Sequence, residues 1–285
     1  MKGKICMVTG ANSGIGFAAA EGFAAQGAHV AMVCRNRERG EEARRKLIEH
    51  TGNEQIELFV SDLSSQQSVR DLSEAFRSRR DRLDVLVNNA GGLFGKPMTS
   101  VDGYEMTFAV NYLAPFLLTH LLLDKLKTSG AARIVNVASV MQAKELDLDE
   151  AAAPPKSYSS FQAYRTAKLA VIMMTYFMAE RLAGSGITVN ALHPGVIYTP
   201  QSTKSVPGFI RPLAKLFMRS PEQGARLILH LAAAPEAASI SGKYFAGNRR
   251  ALSTVPVSYD ERLQRKLYQR SLNWTGLPED ALVVE

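Results

Sequence analysis

Six short apolar runs, each followed by a segment with helical periodicity, constrain the fold of this chain more than any other feature. The runs occupy residues 5–10, 29–35, 56–62, 84–91, 133–139 and 187–195. They are nearly continuous in apolar character, as in parallel strands that are covered on both faces. Helices are predicted over residues 14–26, 38–49, 66–78, 104–127 and 162–183. These repeated units predict an α/β fold, with a doubly wound parallel sheet and helices on both faces.

No repeat or linker interrupts this pattern before about residue 200, so we expect one domain over residues 1–285. Two insertions follow the carboxyl ends of predicted strands, an acidic and then proline-rich one at 141–160 and an amphipathic one at 200–220. Open α/β sheets bind ligands at that edge, so both insertions are expected to line a substrate site. Residues 272–285 are expected to form a C-terminal tail.

Composition excludes several classes of function. The 34 Lys and Arg residues outnumber 27 Asp and Glu, but the basic residues are dispersed, so no nucleic-acid partner is expected. No run approaches the roughly 20 apolar residues of a membrane span, and the first residues lack signal-peptide features. A cytoplasmic protein without a membrane span is therefore expected. Cys6 and Cys34 lack partners at metal-ligand spacing, which predicts buried reduced thiols and no metal.

The glycine-rich stretch TGANSGIG, residues 9–16, connects the first predicted strand to the first predicted helix. Its spacing lets Gly10 make a tight turn, Gly14 approach a phosphate and Gly16 pack the helix on the strand. The N–H groups and dipole at the start of that helix attract a pyrophosphate. A plain strand-to-helix turn is the alternative. The predicted cofactor-binding residues here are Gly10, Asn12, Ser13, Gly14, Ile15 and Gly16.

The end of the second predicted strand, CRNR at residues 34–37, indicates which dinucleotide binds. A carboxylate here would bond the free 2′-hydroxyl of NAD(H), whereas arginine can hold the 2′-phosphate of NADP(H). Arg35 and Arg37 occupy this stretch and no acid precedes Glu38, so NADP(H) is predicted, with Arg35 and Asn36 in contact with it. If the arginines are only surface charges that open a helix, NAD(H) remains the alternative.

Polar and small residues also follow the third and fourth predicted strands. Asp62 and Leu63 are expected at the edge of the adenine ring, and Asn89, Ala90 and Gly91 where the cofactor passes the sheet. Strand-end turns are the alternative, because Asp, Asn and Gly are favoured there for backbone reasons alone.

Tyr164 and Lys168, in the stretch YRTAK, are candidates for proton transfer. Residues four apart on a helix lie on one face, so the ammonium can sit near the phenol. Positive charge from Lys168 and from an oxidised nicotinamide would lower the phenol pKa from its ordinary value of about 10. Such a tyrosine can exchange a proton with a carbinol oxygen while hydride moves at the adjacent carbon. The pattern is common by chance, so its position in the chain carries the interpretation.

Ser139 and Asn111 complete the candidate set. Ser139, at the end of the fifth predicted strand, could hydrogen-bond the same substrate oxygen. Asn111, polar amid apolar neighbours, could hold a water that relays protons to Lys168. The alternatives are a strand-end cap for Ser139 and a helix kink before Pro115 for Asn111.

Through these residues and motifs the chain resembles the short-chain dehydrogenase/reductase family over essentially its full length. The resemblance implies a Rossmann fold with a seven-stranded parallel sheet. Within the family the chain resembles the retinol-dehydrogenase-like branch, through CRNRERGEE (34–42), NYLAPFLLTHLLL (111–123), SGKYF (241–245) and the long Ser139 to Tyr164 spacing. The matching family motifs, in order, are TGANSGIG (9–16), DL (62–63), NNAG (88–91), Asn111, Ser139, YRTAK (164–168) and HPG (193–195).

The resemblance also implies roles for particular residues. Tyr164 would be the acid/base, and Lys168 would also bind the nicotinamide ribose. The implied catalytic tetrad is Asn111, Ser139, Tyr164 and Lys168. The nicotinamide side of the site would be lined by Pro194, Gly195, Ile197 and Thr199.

The function expected from all of this is an NADP(H)-dependent oxidoreductase, a retinol-dehydrogenase-like carbonyl reductase, that interconverts a carbonyl and an alcohol on a fairly apolar small molecule. The alternatives are an NAD-linked alcohol dehydrogenase and a non-catalytic NADP(H)-binding sensor or scaffold. Family members often pair through the helices near Asn111 and Tyr164, so a homodimer or homotetramer is compatible with the sequence. An apolar pocket is inferred from Phe209, Ile210, Leu213, Leu216, Phe217 and Met218, which could instead pack a helix on the core.

Overall fold

A computed structural model describes residues 1–153, 158–196, 219–247 and 249–282. Its centre is a seven-stranded sheet in the order β3-β2-β1-β4-β5-β6-β7, in which every neighbouring pair is parallel. The strands are β1 (Ile5–Thr9), β2 (His29–Cys34), β3 (Ile56–Val60), β4 (Val85–Asn88), β5 (Arg133–Val137), β6 (Thr188–His193) and β7 (Tyr244–Ala246). The predicted doubly wound Rossmann fold is confirmed.

Alternate residues of each strand enter two separate hydrophobic cores, one on each face of the sheet. On β1, Met7 belongs to one core, whereas Cys6 and Val8 belong to the other. On β5, Ile134 and Val135 divide in the same way. Burial on both faces explains why the strand sequences are continuous in apolar character rather than alternating.

Helices cover both faces of the sheet. On one face lie α1 (Gly14–Ala25), α2 (Arg37–Thr51) and α9 (Pro221–Ala233). On the other lie α3 (Gln66–Arg77), α5 (Ala114–Leu121), α8 (Ser160–Arg181) and α10 (Glu261–Thr275). Short helices are α4 (Met106–Phe108), α6 (Leu123–Thr128) and α7 (Leu148–Ala151), with 3₁₀ turns at Pro235–Ala237 and Pro256–Tyr259.

The helix predicted over residues 104–127 is interrupted. It is divided into α4, a π-helical turn (Ala109–Leu113, the π-turn), α5 and α6. Pro115 has no N–H to continue a regular ladder, and the Asn111 side chain donates to the Thr107 carbonyl at 2.8 Å. The helix is therefore interrupted just before Pro115, at the predicted functional residue Asn111.

The chain after β6 adds elements that periodicity did not predict, namely α9, β7 and α10. Residues 272–275, predicted as part of a tail, are the last turn of α10, and Leu272 and Thr275 are buried there. Of the predicted insertions, 141–160 contains α7, while residues 154–157 and the 200–218 part of the second lie outside the described residues. Within the described ranges, no helix combines the length and apolar character that a membrane crossing requires.

Candidate active site

Two glycines of the first loop are required by close backbone approach. Gly10 has φ +68°, and a Cβ there would lie 3.1 Å from the Ala90 Cα. A Cβ on Gly16 would lie 2.2 Å from the Gly10 carbonyl oxygen, which no side chain can occupy. Gly14 also has positive φ, at +56°. The loop therefore carries the backbone N–H groups of the α1 N-terminus to the carboxyl edge of the sheet, where they can meet a phosphate.

Thr9 joins this loop to the end of β4. Its Oγ1 accepts from the backbone N–H groups of Asn89 and Ala90, both at 2.9 Å, and Asn89 Nδ2 donates to the Thr9 carbonyl at 2.8 Å. Asn89 and Ala90, predicted to bind cofactor, thus shape the floor beneath the glycine loop. Thr9 belongs to the glycine-rich motif, but the sequence does not reveal the role of its hydroxyl, because the hydroxyl's partners lie 80 residues away.

Ser13 is the N-cap residue of α1, yet its side chain makes no capping hydrogen bond. Its exposed hydroxyl can therefore serve a ligand at the helix N-terminus. Asn12 and Ile15 beside it are half-buried, and Leu63, after β3, packs against the core. The structure brings all four predicted residues to the carboxyl edge of the sheet.

The loop after β2 holds the predicted determinants of cofactor choice. Arg35 is exposed, and no hydrogen bond or ion pair joins it to another residue in the described part of the chain. The Asn36 side chain caps α2 by accepting from the Arg39 N–H at 2.9 Å, which leaves its amide nitrogen able to donate to a ligand. Asp62 uses Oδ1 to accept from the N–H and hydroxyl of Ser64, at 3.0 and 2.8 Å. Oδ2 of Asp62 is the oxygen that can face an adenine.

Tyr164 and Ser139 meet at the carboxyl edge of the sheet. Tyr164 lies in the second turn of α8, and its phenol lies near the hydroxyl of Ser139, which follows β5. Ser139 is 2% exposed, and its Oγ accepts from the Met141 N–H at 3.1 Å. Burial raises the pKa of Tyr164 above its ordinary value, and the nearby Ser139 hydroxyl lowers it in part. The net direction is opposite to the one predicted from Lys168, because burial is the largest influence.

Lys168 lies on the same face of α8, as its spacing predicts. Its Nζ stands 5.5 Å from the centroid of the Tyr164 ring and donates to the Val137 carbonyl at 2.8 Å. The side chain is 4% exposed, and burial lowers the pKa of Lys168 to about 8. The ammonium is therefore the main form at neutral pH, but it loses its proton far more readily than a surface lysine.

Asn111 projects from the π-turn and is held by three hydrogen bonds. Its Nδ2 donates to the carbonyls of Thr107 and Gly92, at 2.8 and 2.9 Å, and its Oδ1 accepts from the Gly92 N–H at 3.1 Å. A Cβ on Gly91 would lie 2.4 Å from Asn111 Oδ1 and 3.5 Å from Lys168 Nζ. Asn111, Gly91 and Lys168 are therefore neighbours around one point of the site.

The nicotinamide end of the predicted site is described only in part. Pro194 and Gly195 follow β6, and Gly195 has φ +98°. A Cβ on Gly195 would lie 2.6 Å from the Arg219 side chain, whose Nη1 donates to the Gly247 carbonyl at 3.4 Å. Ile197 and Thr199 lie outside the described residues, as do the apolar residues 209–218.

Gln142 supports the site although sequence reasoning did not select it. Its Nε2 donates to the Ser139 carbonyl at 3.3 Å, and its Oε1 accepts from the Val255 N–H at 3.2 Å. Arg165 Nε donates to the Gln142 carbonyl at 3.2 Å. No motif marks Gln142, because its partner Val255 is 113 residues away.

The donors of the described site suit a nicotinamide dinucleotide. Three kinds of donor complement phosphate groups: the backbone N–H groups at the start of α1, the Ser13 hydroxyl and the exposed Arg35 guanidinium. Over the described ranges, no cluster of three or more His, Cys, Asp or Glu side chains is arranged to hold a metal ion.

Comparison with known proteins identifies the class to which this fold and site belong. Residues 4–208 match the family described as short chain dehydrogenase. The chain belongs to this family of oxidoreductases, as predicted.

Within the family the chain is retinol-dehydrogenase-like. It is 38% identical to human retinol dehydrogenase 13 over 283 residues, which cover 96% of this chain and 85% of that protein. It is 39% identical to human retinol dehydrogenase 14, with coverage of 97% and 88%. The predicted branch is therefore confirmed.

Solved structures show the same fold. A protein from Mycobacterium paratuberculosis superimposes with a TM-score of 0.79 at 28% identity, covering 97% of this chain and 94% of that one. L-Sorbose reductase from Gluconobacter frateurii, in complex with NADPH and L-sorbose, superimposes with a TM-score of 0.72 at 26% identity, covering 89% and 98%.

Proposed function

We propose that this protein is an NADP(H)-dependent enzyme that interconverts a carbonyl and an alcohol on a fairly apolar small molecule. The observation that carries the proposal is the convergence of Ser139, Tyr164, Lys168 and Asn111 beside a phosphate-binding loop. A sensor or scaffold would not need a buried lysine next to a half-buried phenol that faces a buried serine. The enzyme is therefore favoured over the non-catalytic alternative.

The dinucleotide would be held along the carboxyl edge of the sheet. The α1 N-terminus and Ser13 would bind the diphosphate, Arg35 the 2′-phosphate and Asp62 the adenine edge. Lys168 would bind the nicotinamide ribose, with Pro194 and Gly195 beside the ring. When bound, this cofactor supplies or accepts the hydride.

The chain's own residues would handle the proton. In the reducing direction, Ser139 donates a hydrogen bond to the carbonyl oxygen, and the Tyr164 phenol gives that oxygen its proton. The raised pKa of Tyr164 keeps the phenol protonated and ready to act as the acid. Lys168 stabilises the phenolate that remains, because its ammonium lies 5.5 Å from the ring centroid.

Asn111 would complete a route for the returning proton. Its side-chain amide is fully occupied by Gly92 and Thr107, so a relay water would meet its main-chain carbonyl instead. The residue four positions on is Pro115, which has no N–H, so the regular helical donor for that carbonyl is missing. A water there would connect bulk solvent to Lys168.

An apolar substrate is supported by the side chains around this edge. Large apolar residues that are substantially exposed follow β4, follow β5 and open α8. They are Leu93 (39% exposed), Val140 (54%), Met141 (40%) and Phe161 (60%). Exposed apolar groups that gather near a polar site are typical of a substrate entrance.

The cellular location and the oligomeric state of the protein stay predictions. A cytoplasmic location agrees with Cys6 and Cys34 being buried free thiols rather than a disulfide. Assembly into a homodimer or homotetramer also stays a prediction.

The test follows NADPH absorbance with a panel of apolar aldehydes and ketones. We expect Tyr164→Phe to lower turnover by roughly 100-fold or more, since it removes the proton donor, while NADPH binding measured by fluorescence stays near the wild-type value. Tyr176→Phe is the matched control, because it removes another phenol of α8, bonded to Thr254 at 2.9 Å. Unreduced turnover in Tyr164→Phe would overturn the assigned role.

A further inference from the structure

The C-terminal helix α10 covers the outer face of the two helical segments that carry the candidate catalytic residues. Leu267, Tyr268 and Leu272 of α10 belong to the same buried core as α5 and α8. The Tyr268 ring stacks on Phe177 of α8 with centroids 4.5 Å apart. α10 therefore packs directly against the helical segments that hold the candidate catalytic residues.

One contact of α10 is made to the π-turn itself. Tyr112, next to Asn111, is 0% exposed, and its hydroxyl lies 2.7 Å from Ser271 Oγ. Ser271 uses its own proton to donate to the Leu267 carbonyl at 2.7 Å. The Tyr112 hydroxyl must therefore be the donor, and burial raises the pKa of Tyr112, which keeps it neutral.

The end of α10 contacts the other side of the same turn. The Trp274 ring meets Phe108 edge-on, with centroids 5.7 Å apart. The Trp274 carbonyl accepts from Gln66 Nε2 at 2.7 Å and from the Tyr104 hydroxyl at 2.9 Å. Phe108 lies within the segment in which Asn111 bonds the Thr107 carbonyl, and Tyr112 directly follows it, so α10 contacts that segment near both of its ends.

A π-turn needs such support. Its wide ring is less favourable than the α-helical one, so single π-turns persist where surrounding contacts hold them, often at functional sites. We propose that Tyr112 and Ser271 are positioning residues for Asn111, and that α10 holds the relay carbonyl at the distance proton transfer requires. The proposal rests on the proposed function, because it assigns these residues to the same reaction.

A matched control exists on the same helix. The Tyr268 hydroxyl bonds His120 Nε2 at 3.0 Å, and His120 Nδ1 lies 2.7 Å from the Phe116 carbonyl. Burial lowers the pKa of His120 to about 4, so its neutral ring donates from Nδ1 and accepts from Tyr268. Tyr268→Phe removes a buried bond between α10 and α5, whereas Tyr112→Phe removes a buried bond between α10 and the π-turn that holds Asn111.

The experiment is a double-mutant cycle on turnover. We expect Tyr112→Phe to lower kcat by on the order of tenfold with KM little changed, because the binding surface stays intact. Asn111→Ala removes the three side-chain hydrogen bonds that fix the turn, so its main-chain carbonyl is already displaced in that background and Tyr112→Phe should add little. Tyr268→Phe should be mild in both backgrounds. Equal losses for Tyr112→Phe in the two backgrounds, or equal losses for both tyrosines, would refute positioning and leave a general stabilising role.

A second readout needs no activity. The Gly92 N–H is bonded to Asn111 Oδ1, so its hydrogen exchange, followed by NMR, reports the position of that side chain. We expect Tyr112→Phe to speed this exchange by on the order of tenfold and Tyr268→Phe to leave it nearly unchanged. If the enzyme reduces no carbonyl in the panel, the proposed function is wrong, but the exchange rate of the Gly92 N–H still tests whether Tyr112 positions Asn111. Unchanged exchange in Tyr112→Phe would overturn the inference.

Discussion

Adding one methyl group at Gly91 tests the geometry around Asn111 most directly. A Cβ there would lie 2.4 Å from Asn111 Oδ1, far inside the 3.4 Å at which ordinary Cβ contacts begin. Asn111 cannot move aside freely, because Gly92 and Thr107 hold its amide through three hydrogen bonds. The methyl group of Gly91→Ala must therefore break at least one of them.

The magnitude follows from these contacts. Overpacking a tight site costs about 1–3 kcal/mol, and a buried polar group left without a partner costs a similar amount. We expect Gly91→Ala to lower the free energy of unfolding by about 2–6 kcal/mol, since both effects act. Turnover should fall by on the order of 100-fold, because the displacement of Asn111 misplaces the proton route to Lys168.

The assay combines urea unfolding with NADPH-dependent carbonyl reduction. Gly95→Ala is the control, since it lies in the same connection after β4 and a Cβ there has nothing within 4 Å. We expect Gly95→Ala to match the wild type in both measurements. Similar stability and turnover for the two variants would refute the reasoning that Asn111 is rigidly held against Gly91.

Three further outcomes are expected. Arg35→Ala should weaken NADP(H) binding by about tenfold or more while NAD(H) binding changes little. An equal loss of affinity for both cofactors would contradict a phosphate-binding role for Arg35. So would a matching loss of NADP(H) affinity in Arg45→Ala, the control at an exposed arginine of α2. Because the pKa of Lys168 is about 8, its positive charge and the turnover should both decline as pH rises through about 8. Turnover that stays constant across that range would argue against a role for the Lys168 ammonium. Gly16→Ala, whose Cβ would meet the Gly10 carbonyl at 2.2 Å, should abolish NADPH binding measured by fluorescence, and retained affinity would show that the loop can adjust.

Much of the site could be predicted because local geometry determines it. The i, i+4 spacing of Tyr164 and Lys168 places them on one face of any helix, and the structure has them there. Gly10 and Gly16 were predicted from backbone demands that a strand-to-helix turn imposes by itself. The direction of the Tyr164 pKa shift was not predictable, because it depends on how deeply the rest of the chain buries the phenol.

Hydrogen bonds between residues far apart in the chain could not be predicted from the sequence either. Asn36 and Asp62 make local hydrogen bonds that their residue types do not predict, since the same side chain can cap a helix or bind a ligand. Gln142 acquires its place through Val255, and Tyr112 through Ser271. No spacing rule connects such pairs.

The amino-acid sequence by itself determined the α/β class, the parallel sheet and the residues from which a site can be built, since periodicity, strand burial and turn chemistry are local properties. Tertiary structure decided how that site is supported. It placed α10 behind the π-turn, opened the helix at Asn111 and brought Gly91 against Asn111 and Lys168. These outcomes depend on the packing of segments far apart in the chain, where buried polar groups must find whichever partners the folded core presents.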